Sequence, residues 1–193
     1  MVNLDGMLSR LRKYNPMEII NAIAYVIKTG CQWSMLPKGF PNSKTVYHHF
    51  RSLCDRGWFR AFLRVLVKGR RSMLGQPPDP YECVVDSQSV RSALPDSQKG
   101  VDGNKRIKGI KRHVAVDSNG YVLDVIATTA NVHDSKGAIP LTARILSDFN
   151  EIGIMKADMG YAALKNTVCD IDGFILECVK SNFGTPNFIP IQG

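Results

Sequence analysis

Long apolar runs are missing from this chain. The longest, "IINAIAYVI" at 19–27, is far too short to cross a bilayer, and no signal-peptide core follows Met1. The five cysteines are odd in number, widely spaced and free of any C-x-x-C pair, and three sit in apolar runs. That excludes a disulfide frame or a zinc ribbon and predicts reduced, buried thiols. Internal repeats and low-complexity tracts are absent too. These absences lead us to expect a soluble, intracellular protein with no membrane partner. With 193 residues, 44% of them apolar and 22% charged, the chain has material for one ordinary domain, or for a small domain and a medium one.

Charge is present but unevenly spread. Residues 1–71 hold 13 of the 25 Lys and Arg but only three acids (Asp5, Glu18 and Asp55), a surplus of +10, whereas the remainder sums to −2. A basic head on a near-neutral body implies a polyanionic partner. With no amphipathic lipid-binding helix in evidence, nucleic acid fits better than a membrane surface.

The head has a helical texture. Ile19, Ile20, Ile23, Ala24 and Ile27 recur at helical spacing, so residues 16–29 are expected to form an amphipathic helix ended by Gly30. After the link "CQWSMLPKGFPNS", Ser43 is a candidate cap for a second helix with Val46, Phe50 and Leu53 on one face. A third follows Gly57 through Trp58, Phe59, Phe62, Leu63 and Leu66 to the cluster Lys68, Arg70 and Arg71. Three short basic helices suggest a small all-α, helix-turn-helix-like domain. Its recognition helix would be "NSKTVYHHFRS" (42–52), with Lys44, His48, His49 and Arg51 as the polar face. The same pattern also fits a bundle whose basic face is merely solvated.

The segment "GQPPDP" (75–80) is expected to be a linker between a domain at 1–74 and another at 81–193. Beyond it the texture turns to β. "ECVVDSQSV" reads as a strand. Residues 111–130 read as two strands joined at Asp117-Ser118-Asn119-Gly120, where Asn-Gly suits a tight turn. A helix is expected over 135–149, with Pro140 in or near its first turn. "IGIMKADM" (152–159) reads as a strand, "YAALKNTVCDID" as a short helix and "GFILECVK" (173–180) as a last strand. The order β-β-β-α-β-α-β predicts an α/β body, a mixed sheet with flanking helices that resembles the ribonuclease H-like fold.

Asp86 and Asp158 each follow an apolar strand pattern. A buried acid needs pairing, hydrogen bonds or a metal, and ligands of α/β sheets gather at the ends of central strands. Two adjacent carboxylates would repel unless a cation lay between them; hard oxygen donors favour Mg²⁺ or Mn²⁺, which can serve phosphodiester chemistry. Alternatively each acid caps a turn or a helix.

The motifs "VVDSQSV", "GNKRIKGIKRHVAVDSNG", "TTANVHDSKGA" and "KADMGYAAL", together with the head, resemble bacterial insertion-sequence transposases of the DDE type, close to insertion sequence family 5. The resemblance implies that Asp86 and Asp158 are the first two acids of a metal-binding catalytic triad using Mg²⁺ or Mn²⁺. It implies as partners double-stranded DNA, at transposon ends and target, and a homo-oligomer when active, with no small-molecule cofactor and a nucleoid-associated place in the bacterial cytoplasm. Gly160 would let the backbone turn beside a phosphate, and Tyr161 would pack near the strand being cut. The loop "KGVDGNKRIKGIKRH" (99–113) would clamp phosphates through Lys105, Arg106, Lys108, Lys111 and Arg112, or else be a solvated loop. Asp134 is expected to cap a helix and His133 to support the site from behind, and neither is expected to be catalytic. The family's third acid is a Glu on a later helix; the chain stops at "NFIPIQG", and neither Glu151 nor Glu177 has the required context. The catalytic domain is therefore expected to lack its last helix and to be weak or inactive in strand transfer, with one sheet face uncovered. Gene decay, frameshifting or a shortened record would each explain this. A DNA-binding fragment competing for transposon ends is the alternative function.

Overall fold

The computed structural model describes residues 14–93, 95, 98–168 and 173–179. It divides into two compact units, Met1–Phe62 and Leu63–Gly193.

In the first unit, α1 (Pro16–Thr29) begins where Asn15 accepts the Met17 amide and stops where Gly30 takes a left-handed conformation. A 3₁₀ turn (Trp33–Met35) leads to α2 (Ser43–Asp55). Asn42 caps α2 through the Lys44 amide, so the expected cap at Ser43 falls one residue late. Ile19, Ala22, Ile23, Val46 and Leu53 form the core, with Trp33, Phe50, Trp58 and Phe59 packed against it. Helix α3 (Trp58–Met73) contributes Trp58 and Phe59 to this core.

From Leu63 onward α3 belongs to the second unit, so the division falls inside this helix, ahead of the 75–80 segment. The chemistry there is specific. Arg64 pairs with Asp148 at 2.9 Å, Lys68 with Asp79, and Arg71 with the fully buried Asp117, while Arg70 donates to the Tyr121 hydroxyl. Arg64, Lys68 and Arg71 are thus paired with acids and drop out of the surplus available to a polyanion, whereas Arg70 stays exposed.

The sheet of the second unit comprises β1 (Glu82–Arg91), β2 (Gly100–Asp102), β3 (Ile107–Asp117), β4 (Val122–Thr129), β5 (Ile154–Asp158) and β6 (Ile175–Val179). Strands β2 and β4 lie along one edge of β3, whose other edge carries β1, then β5 and β6. The β1–β3–β4 meander is antiparallel and β1–β5–β6 is parallel. This is a ribonuclease H-like mixed sheet. Strand β2 was not expected, and β3 starts at Ile107, so much of 99–113 is sheet rather than loop. In the β3–β4 turn only Gly120 takes positive φ (79°), and the Asp117 carboxylate accepts the amides of Asn119 and Tyr121.

Helix α4 (Asp134–Asp148) covers one face, burying Ala138, Leu141 and Ile145 with Cys83, Val85, Ala115, Leu123, Met155 and Leu176. Its cap is His133 rather than Asp134, and Pro140 falls in the second turn, on the exposed side. After β5 come a 3₁₀ turn (Met159–Leu164) and α5 (Lys165–Val168). The opposite face is open among the described residues: Val84, Val125, Ile175 and Val179 are 41–58% exposed. Cys83 is buried, which pushes its thiol up to about 12, whereas Cys54 is exposed against expectation. No helix among the described residues is long and apolar enough to cross a membrane.

Candidate active site

Strand β1 sorts its residues by alternation. Cys83, Val85, Ser87 and Ser89 point inward, which leaves Asp86 on the open face. Asp86 is therefore not a buried acid at a strand end. It sits in mid-strand and is exposed, because β1 continues along β3 to the pair Arg91↔Gly109. What does end near Asp86 is the parallel partner. Strands β1 and β5 pair as far as Val84↔Lys156, and Asp86 and Asp158 each lie two residues further on. The two acids thus come level on neighbouring strands and share one face.

Their local bonds are short-range. Asp86 Oδ1 accepts the Ser87 amide at 2.7 Å, and Asp158 Oδ1 accepts the Gly160 amide at 2.9 Å, capping the 3₁₀ turn. Capping and presentation on the open face coexist. Among the described residues, neither carboxylate has an ion-pair partner.

Behind them lies a second polar group that sequence reading missed. Asp134 Oδ1 accepts the Ser87 hydroxyl at 2.7 Å and lies 2.9 Å from Lys111 Nζ. The same ammonium donates to the Val132 carbonyl at 3.0 Å and lies 3.6 Å from Asp102 Oδ2. The Ser89 hydroxyl, the Lys105 amide, the Lys111 charge and the Asn104 amide hold the Asp102 carboxyl at about 2, against the effect of burial. For Asp134, burial pushes upward, but the bonds from Lys111 and Ser87 outweigh it and lower its titration. His113 is fully buried, 3.0 Å from the Thr128 hydroxyl. Burial, helped by the Lys111 charge and opposed by Asp134, lowers its titration.

Tyr161 is also fully buried, so its ring packs in the core rather than beside a DNA strand. Its hydroxyl lies near Ser87 and within electrostatic reach of Asp134, Asp86 and Asp158, yet makes no well-formed hydrogen bond among the described residues. Burial, and then these carboxylates, push its titration upward, while Ser87 works against them.

The basic candidates divide. Lys44, His48 and Arg51 are exposed on α2 at a spacing that aligns them on one side, with His49 half-buried against His48. Lys105, Arg106, Lys108 and Arg112 are exposed. The Lys105 ammonium reaches to 3.5 Å from the Ser87 carbonyl, and Arg112 donates to Gln88 beside Asp86 on the open face. Lys111 departs from expectation. It is 6% exposed and pairs internally, because β3 alternation turns it inward with His113, Ala115 and Asp117, so it offers no charge to a phosphate.

Glu177 lies level with Lys156 in the sheet, short of the Asp158 position, and Glu151 is exposed beyond α4. No group of three His, Cys, Asp or Glu side chains among the described residues could hold a metal ion. The segment around "NFIPIQG" lies outside those residues.

A sheet in this order has the ribonuclease H-like arrangement, and Asp86 and Asp158 lie level on its open face. Residues 77–185 match the family model described as "Transposase DDE domain", and residues 4–63 match "Putative transposase of IS4/5 family". The chain belongs to the DDE transposase family. It is also similar to a solved "Mos1 transposase paired-end complex with left transposon end", with a TM-score of 0.35 at 10% identity over 87% of this chain. It spans 61% of that protein's chain. No curated protein matches.

Proposed function

We propose that this chain acts in transposition of an insertion sequence by metal-dependent DNA strand cleavage and strand transfer, with Asp86 and Asp158 as the catalytic carboxylates. The observation that carries this reading is their register: two exposed acids level on adjacent parallel strands, with no cation between them among the described residues. Such a pair is electrostatically unfavourable by itself and suits a hard divalent cation, Mg²⁺ or Mn²⁺. Asp86 and Asp158 would hold that ion, which would supply Lewis-acid activation of a phosphodiester oxygen. Lys105, which reaches the Ser87 carbonyl, and Arg112, which bonds Gln88, lie near Asp86, and together with Arg106 and Lys108 would grip backbone phosphates. Lys44, His48 and Arg51 on α2 would meet the DNA duplex at the transposon ends. Localisation at the nucleoid and self-association on DNA follow from that role.

A second reading has one specific observation behind it. The exposed basic side of α2, with Lys44, His48 and Arg51, would let the product occupy transposon ends without cutting them. Incubating the protein with element-end DNA and Mn²⁺ separates the two readings. Nicking that disappears in Asp86→Ala supports the enzyme. Binding that weakens with salt, survives Asp86→Ala and is never followed by nicking supports the competitor.

A further inference from the structure

A carboxylate outside the Asp86–Asp158 pair converges on the same spot. Asp134 uses Oδ1 for both of its bonds, to Ser87 and Lys111, which leaves Oδ2 with another direction to face. A methyl group placed on Gly160 would come 3.0 Å from Asp158 Oδ1 and 3.4 Å from Asp134 Oδ2. Two acidic oxygens therefore flank one small space that glycine keeps open. The fully buried Tyr161 hydroxyl lies within electrostatic reach of both carboxylates and lacks a well-formed partner among the described residues. Asp158 Oδ1 already accepts the Gly160 amide, so what the space offers is acceptor capacity, the remaining lone pairs of two carboxylates beside a buried hydroxyl.

We propose that Asp134 is a positioning residue that accepts a hydrogen bond from the hydration shell of a divalent cation held by Asp158. The inference rests on the metal-binding reading of Asp86 and Asp158. Asp134 is suited to an outer role because its inner oxygen is already committed to Lys111 and Ser87. Magnesium and manganese ions commonly keep several waters, and carboxylates that hold those waters orient the ion without touching it. Lys111 fixes the angle of Asp134, and Ser87 ties that angle to the residue next to Asp86.

Manganese binding to the full chain, measured by calorimetry and by electron paramagnetic resonance, tests this without cleavage. Asp134→Asn keeps the shape and most of the hydrogen bonding but removes the charge. Gly160→Ala leaves the Lys111 pairing intact and fills the space between the two oxygens. The expected result is an affinity loss of about tenfold or more in each, with an altered Mn²⁺ line shape at saturation. Should Asp134→Asn fail to fold, Ser87→Ala decides, because it frees Asp134 from one of its two bonds and keeps both proposed metal carboxylates: lowered affinity with an altered line shape supports the role of Asp134, and wild-type values overturn it. Wild-type affinity and line shape in Asp134→Asn or in Gly160→Ala, alongside lost binding in Asp86→Asn and Asp158→Asn, overturn the role of Asp134 and leave the metal reading standing. Wild-type binding in Asp86→Asn and Asp158→Asn removes the metal reading and this inference with it.

Discussion

Two sets of acids occupy the two sides of one sheet. Asp86 and Asp158 are exposed and lack ion pairs among the described residues, whereas Asp102 and Asp134 share one buried ammonium, Lys111. A few ångströms of backbone separate them, since Ser87, bonded to Asp134, follows Asp86 directly. The inner set is locked by geometry and held ionised by hydrogen bonds. The outer set is exposed and bonded only to neighbouring backbone amides. Strand alternation turns Ser87, Ser89 and Lys111 inward, where they hold the inner set, and leaves Asp86 and Asp158 facing outward.

The largest expected effect comes from breaking the inner set. Lys111→Met leaves Asp102 and Asp134 without their countercharge and should lower stability by about 3 kcal/mol in urea unfolding. Asp86→Asn should change it by less than about 0.5 kcal/mol, because no intramolecular ion pair is lost. Comparable losses in both variants would erase the distinction between the two sides.

The contrast was only half legible in the sequence. Strand texture and the punctuation at Gly120 fixed the meander, and the motifs around Asp86 and Asp158 pointed to the outer acids. The inner set is not legible in the composition of "KGVDGNKRIKGIKRH", which reads as a basic loop, although the strand expected from residue 111 alternates. Lys111, His113, Ala115 and Asp117 occupy every second position, and that period was the available signal. Asp102 was beyond reach, because a three-residue strand carries too little pattern to register. The head's surplus charge also misled, since Arg64, Lys68 and Arg71 find their acids 84, 11 and 46 residues away.

Acid offers a second, smaller test. Asp102 titrates at about 2 when folded, below its ordinary unfolded value of ~3.9. Its contribution is therefore fully present above pH ~4 and is lost as pH falls through about 2. Ser89→Ala removes the leading cause of that depression, so the acid-unfolding midpoint followed by circular dichroism should move upward. Gln88→Ala, one residue away on the open face, should leave it in place. A shift in Gln88→Ala as large as that in Ser89→Ala would show that acid stability is not governed by the inner set.

The smallest effect concerns the cations that remain outside. Arg106 is the only non-glycine residue with positive φ (52°) among the described residues, in the turn joining β2 to β3. A left-handed conformation costs an L-residue roughly 1 kcal/mol, which glycine avoids while paying more chain entropy on folding. Arg106→Gly should therefore stabilise the protein by about 0.5 kcal/mol net, read from the urea midpoint. It should also weaken binding to element-end DNA and flatten the salt dependence by about one phosphate contact. Gaining stability while losing affinity would mark Arg106 as a strained outer cation kept for its phosphate, the counterpart of the relaxed inner Lys111. If affinity and salt slope stay unchanged, Arg106 is a turn residue alone, and the outer grip narrows to Lys105, Lys108 and Arg112.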